Sequence, residues 1–128
     1  MSEFIVKNRR GIFVLPVEDV IYMEKNLRKI SLFVTDFGDA SYRKIEFYGR
    51  FEDVIPQLDE RFMYCHRSYI INMDKIVWMQ GCEIFVRPDI RIHMEGREKY
   101  LQNISIINTR KKQRKNQIFS CNSNAFVV

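Results

Sequence analysis

Residues 62–72 read Phe-Met-Tyr-Cys-His-Arg-Ser-Tyr-Ile-Ile-Asn. A short apolar run enters this stretch, a knuckle of Cys65, His66, Arg67 and Ser68 interrupts it, and a second apolar run leaves it, ending in Asn72. Short apolar runs bounded by such a break read as two buried strands, so the knuckle is an exposed tip held between them. An arginine and a serine on a tip carry the donors needed to touch a phosphate or the edge of a base. Tyr69, Ile71 and the later Trp78 are expected in the core, and Asn72 is expected to close the turn that follows.

Most of the remaining chain continues the same pattern of short strands and turn signals, which predicts a mainly β fold. Phe4–Val6 and Ile12–Leu15 form a hairpin around Asn8 to Gly11, and Val20–Met23 follows. Ile30, Leu32 and Val34 alternate, placing one apolar face on the next strand. The residues Asp36-Phe37-Gly38-Asp39 suit a tight turn, returning the chain along Tyr42–Phe47. Further strands are expected at 76–79, 82–86 and 90–93. One segment changes period: Phe51, Val54, Ile55 and Leu58 have helical spacing, and Pro56 within them predicts a short or kinked helix. A second short helix is expected from Gly96 to about Ile104.

The 128 residues suit one domain with a real core. No apolar run approaches the ~20 residues that span a bilayer, and the first residues are not a secretory leader, so no membrane insertion and a cytoplasmic location are expected. Three widely spaced cysteines, Cys65, Cys82 and Cys121, form no disulfide framework and no Cys-x-x-Cys pair. Adjacent residues of a strand face opposite ways, so Cys65 and His66 do not readily share a metal or act as nucleophile and base. The chain is therefore expected to be no enzyme and to need no metal or cofactor. Cys65, flanked by His66 and Arg67, is either a quiet buried thiol or a redox-sensitive one.

The charge is unevenly distributed. Five of the 21 bases lie in the run 110–115, and the other 16 match the 16 acids, so the net +5 belongs to the C-terminal end. This divides the chain into a neutral domain, residues 1–108, and a basic, flexible tail, residues 109–128. The tail is either a solvated end or a source of sequence-independent attraction to a polyanion. Within the domain the bases cluster at Lys25 to Lys29, at Arg43-Lys44, at Arg61 with His66 and Arg67, and at Arg97 with Lys99. Taken singly, each cluster is ordinary composition for a solvated turn. A domain with no net charge binds a polyanion only where its bases gather.

The stretch from Lys44 to Met79, KIEFYGRFEDVIPQLDERFMYCHRSYIINMDKIVWM, resembles the LytTR family, the output domains of LytR/AgrA/VirR-type response regulators. That family's pattern is a short helix, then Phe, a few residues, His-Arg-Ser-Tyr-hydrophobic-Val/Ile-Asn, and a strand with Ile. The upstream stretch Asp19-Val20-Ile21-Tyr22-Met23-Glu24 is similar to the family's as well, and the resemblance covers roughly residues 4 to 103. It departs at Tyr64, where many members carry a base, and at Met94-Glu95-Gly96 before Arg97.

The resemblance implies an elongated arrangement of short antiparallel strands with one or two short helices. It also implies sequence-specific binding of double-stranded DNA for transcriptional regulation, with loops inserted in successive major grooves. Arg67 and Arg97 then fall at base-contacting positions, and Lys29 or Arg28 serves the first loop. Ser68 and Arg61 match positions suited to phosphate, and charge and location add Lys25, Asn26 and Lys99. His66 either supports the knuckle through the backbone or meets a phosphate. The implied partner is duplex DNA bearing direct repeats in promoters, with a second copy of the chain beside the first. The other expectation left open is a protein-interaction module of the same fold that does not read DNA sequence.

Overall fold

The alternation of Ile30, Leu32 and Val34 builds the central hairpins. In the structure, a computed structural model describing residues 3–36, 41–66, 68–87, 89–93, 106, 107, 109 and 110, all three are buried on one face of a strand. Each side chain removed from water in this way contributes roughly 1.5–3 kcal/mol. Ten strands are described: β1 (Glu3–Asn8), β2 (Gly11–Pro16), β3 (Val20–Asn26), β4 (Lys29–Asp36), β5 (Ser41–Tyr48), β6 (Phe62–His66), β7 (Tyr69–Asn72), β8 (Trp78–Gln80), β9 (Glu83–Arg87) and β10 (Ile90–His93). One short α-helix, α1 (Phe51–Val54), lies between β5 and β6. The fold is mainly β and antiparallel, as the turn spacing predicts. The chain divides into two compact units, Met1–Asn72 and Met73–Val128.

The first unit is a five-stranded sheet in the order β5-β4-β3-β7-β6 with a separate β1–β2 ribbon. Its core gathers Phe4, Val6 and Leu15 of the ribbon, Met23 of β3, the buried face of β4, Ile45 of β5, and Phe51 and Val54 of α1. The helix lasts a single turn. A 3-10 turn, Ile55–Gln57, takes over at Pro56, whose missing N–H ends the α-helical ladder. The apolar stripe is therefore cut: Phe51 and Val54 are buried, but Ile55 turns outward. On the opposite sheet face Tyr22 stacks on Phe33 at 4.4 Å, with Tyr69 and Tyr42 tilted against either side of the pair.

Asn72, expected to close the turn that follows, reaches back to β3 with its amide. It is fully buried and its Nδ2 donates to the Val20 carbonyl at 2.8 Å. The reason lies in β3, where the register with β4 shifts between Val20 and Tyr22 and pairing with β7 begins only at Tyr22–Ile71. The side chain of Asn72 thus supplies a donor at an irregularity of the ladder. Tyr69 is only partly buried, its hydroxyl donating to Glu24 Oε2 at 3.3 Å.

In the second unit a three-stranded sheet, order β10-β9-β8, buries Met79, Ile84, Val86, Ile90 and Ile92. Trp78 departs from expectation. It is 48% exposed, because a 3-10 turn at Met73–Lys75 delays the strand and sets Ile76 and Met79 inward. Its ring stacks on its cross-strand partner Phe85 at 4.6 Å instead. Arg110, expected in a solvated run, is largely buried and clamps Asp74 through Nε and Nη2 at 3.3 and 3.2 Å. The turn at Phe37–Asp39, the helix expected from Gly96 to Ile104, and residues 111–128 lie outside the described residues.

Candidate nucleic-acid interface

Antiparallel pairing brings one end of all five strands of the first sheet to a common tip. β5 ends there at Tyr48, β4 begins at Lys29, β3 ends at Asn26, β7 begins at Tyr69 and β6 ends at His66. Two turns crown this tip. The first joins Asn26 to Lys29 through Leu27 and Arg28, and the second is the knuckle that ends at Ser68. They are bonded to each other, since the Lys25 backbone N–H donates to the Ser68 carbonyl at 2.7 Å. On the other side, the Gly49 N–H donates to the Arg28 carbonyl at 3.0 Å. Arg28 of the first basic cluster and Ser68 of the knuckle, 40 residues apart in sequence, thus stand at one tip.

The first turn holds an unusual backbone. Leu27 has φ of 60°, a region where a Cβ costs about 1–2 kcal/mol, and its side chain is 86% exposed. Neither glycine nor asparagine, the usual occupants, stands there. Beside it Asn26 and Arg28 are exposed, while Lys25 and Lys29 are half-buried.

Charge at the tip is partly organised by Glu46. Lys29 Nζ lies 3.6 Å and Lys44 Nζ 3.7 Å from Glu46 Oε2, which also accepts from Ser31 Oγ at 3.3 Å. Desolvation pushes the Glu46 carboxyl up, but Lys29, Lys44 and the Ser31 hydrogen bond outweigh it and hold the group below its ordinary value. Lys29 is thus partly committed, whereas Arg28 stands out from the turn.

Of the other residues singled out in the sequence, Arg61 is held by its neighbour. Its Nε lies 2.9 Å and 3.0 Å from the two oxygens of Asp59, and its side chain is only 26% exposed. The Asp-x-Arg spacing at 59–61 carried that signal. The side chains of Cys65 and His66, together with Arg67, Arg97 and Lys99, lie outside the described residues. Among the described residues no three His, Cys, Asp or Glu side chains gather to hold a metal, and no helix is long and apolar enough to cross a membrane.

The family profile of the LytTr DNA-binding domain matches residues 10–87. This chain belongs to that family. Among proteins similar to this LytTr domain is accessory gene regulator protein A of Staphylococcus epidermidis, 36% identical over 59 residues, which make up 46% of the chain and 23% of that protein. The protein of the same name in Staphylococcus aureus is 32% identical over 59 residues, with the same shares covered. The match thus spans less than a quarter of these relatives' length. A solved LytTr DNA-binding domain from Bacillus cereus superposes with a TM-score of 0.63, covering 84% of this chain and 97% of that one. At 17% identity that likeness is one of fold.

Proposed function

We propose that this LytTr domain binds double-stranded DNA sequence-specifically and thereby regulates transcription, its turns entering successive major grooves, with no chemistry of its own. The observation that supports this most is the hydrogen bond from Lys25 N to the Ser68 carbonyl. It ties the first basic turn to the Ser68 end of the second, so both start from one tip. Preorganisation of this kind lowers the ordering cost of binding.

Roles follow from chemistry and exposure. Arg28 reads a base from the first turn, since its planar fork can grip guanine O6 and N7 together while Lys29 is shared with Glu46. Arg67 reads a base from the knuckle, and Arg97 from the last loop. Ser68, Lys25, Asn26, Lys99 and His66 meet phosphates. Arg61 contributes least, because its Nε is already held by Asp59. Two copies occupy direct repeats in promoters, in the cytoplasm where bacterial DNA lies.

The test is footprinting and mobility shift on duplexes selected for binding. Arg67→Ala is expected to weaken binding and relax preference at one base pair, by ~1–3 kcal/mol for a bidentate contact. Lys25→Ala is expected to weaken every sequence alike and flatten the salt dependence. Neutralising Lys111, Lys112, Arg114 and Lys115 to Gln separates the C-terminal bases from the tip. If preference vanishes with those four charges, or Arg67→Ala leaves the footprint unchanged, the domain does not read sequence through this tip and the protein-interaction role takes its place.

A further inference from the structure

Beside the tip runs a groove of about 960 Å³ along β5, which is an edge strand of the five-stranded sheet. Its bases come from two parts of the chain: Lys7, Arg9 and Arg10 from the β1–β2 turn, and Lys29, Arg43 and Lys44 from the sheet. Residues 1–72 carry 11 bases and 11 acids, yet six of those bases line this groove and only one acid, Glu46, joins them. That acid is neutralised by Lys29 and Lys44, so it does not repel an incoming anion.

The groove is built rather than fortuitous. Asn8 Nδ2 donates to the Glu46 carbonyl at 2.8 Å, tying the ribbon turn to β5. Asn8 Oδ1 in turn accepts from the Arg10 backbone N–H at 2.8 Å, and Gly11 takes φ of 139° to complete the bend. The two arginines are therefore presented from a pinned turn, and the edge of β5 is covered at Glu46, as edge strands require. From Arg43 to Tyr48 an extended strand spans about 17 Å at roughly 3.3 Å per residue. Measured along the duplex axis, one DNA strand advances by about five phosphates over that length, at 3.4 Å each.

We infer that this groove holds the phosphate backbone of duplex DNA running on from the tip, through Lys7, Arg9, Arg10 and Arg43. The inference rests on the DNA-binding role proposed above. Lys29 and Tyr48 belong to both surfaces, so a backbone leaving the tip enters the groove without a gap. The groove reads no bases. It lengthens the electrostatic footprint of a domain whose overall charge supplies no field.

The experiment is a salt titration of binding to a selected duplex, comparing the unaltered chain with an Arg9→Ala/Arg10→Ala/Arg43→Ala variant. Each phosphate contact contributes about 0.9 to the slope of log K against log salt, so the variant's slope is expected to fall by about 2.7. Between 50 and 200 mM salt the unaltered chain then loses about 40-fold more affinity than the variant, with base preference the same in both. An Arg9→Lys/Arg10→Lys/Arg43→Lys variant keeps the charges and is expected to keep the slope, which a merely structural role for the arginines does not predict. Arg91→Ala, remote in sequence and exposed, serves as the charge-loss control. An unchanged slope in the alanine variant, while the unaltered chain still prefers the selected duplex, overturns the groove and leaves the tip standing. Loss of heparin binding without a change in the duplex slope overturns it too, assigning the groove to another polyanion. Absence of any preference in the unaltered chain overturns the tip, and the groove with it.

Discussion

Asn72→Ala probes the joint that carries the knuckle. Asn72 is fully buried at the end of β7, and its Nδ2 donates to the Val20 carbonyl at 2.8 Å, where the β3 ladder is irregular. Removing the amide leaves that carbonyl without this donor, which costs about 1–3 kcal/mol for a buried group. The lost side chain adds a void, so the total is expected at about 2–3 kcal/mol. For a chain of this size that corresponds to a fall in melting temperature of roughly 8–12 °C. Urea denaturation followed by circular dichroism measures the difference directly, and thermal melting checks it. Two companions sharpen the result. Asn72→Leu restores the volume but not the donor, so it should recover only the void. Asn72→Asp removes the Nδ2 donor and buries a charge, so it should be the worst of the three. If Asn72→Ala stays within about 0.5 kcal/mol of the parent, the ordinary range for surface changes, or Asn72→Leu matches the parent, the hydrogen bond does not hold this joint.

Three further outcomes are expected. Leu27→Gly relieves the positive φ, gaining about 1–2 kcal/mol against about 0.5–1 for glycine's extra freedom, so equilibrium unfolding should show a small net gain. Glu46 has a folded-state pKa below its ordinary value, so its stabilisation is present above that value and is lost as pH falls through the folded one. Melting curves from pH 6 down to 3 should therefore decline less steeply for Glu46→Gln than for the parent. Burial first, and then Glu24, push the Tyr22 phenol up, so its contribution is complete below the ordinary tyrosine value near 10. That contribution is lost as pH rises further, and Tyr22→Phe should flatten the alkaline limb of the melting temperature between about pH 10 and 11.

Much of this fold is legible in the sequence, because its strands obey local rules. Ile30, Leu32 and Val34 announce one face of β4 by alternation, and Pro56 announces the end of α1 by its missing donor. Trp78 could not be read that way. A large aromatic in an apolar run looks buried until the 3-10 turn at Met73–Lys75 fixes which parity faces inward. The bond from Asn72 to β3 could not be read either, since its partner Val20 lies 52 residues away at a register shift that no local pattern marks.

The site divides along the same line. The turn at Lys25–Lys29 and the knuckle near Ser68 were legible as basic turns, but their union through Lys25 N and the Ser68 carbonyl is a product of sheet topology. The groove was invisible for want of that topology. Lys7, Arg9 and Arg10 stand far in sequence from Arg43 and Lys44, and only the pairing of Asn8 with β5 makes them neighbours. The run Lys7-Asn8-Arg9-Arg10-Gly11 was the available clue.

The most direct measurement is the ratio of affinities for a duplex selected from a random library and for the same duplex scrambled, taken at about 0.15 M salt. A sequence reader of this kind should prefer the selected duplex by about a thousandfold or more. Arg28→Ala should then erase discrimination at one base pair by about 5- to 150-fold while leaving the rest of the preference in place. Equal affinity for the two duplexes, or an Arg28→Ala variant with its base preferences intact, contradicts a reading head built on this tip.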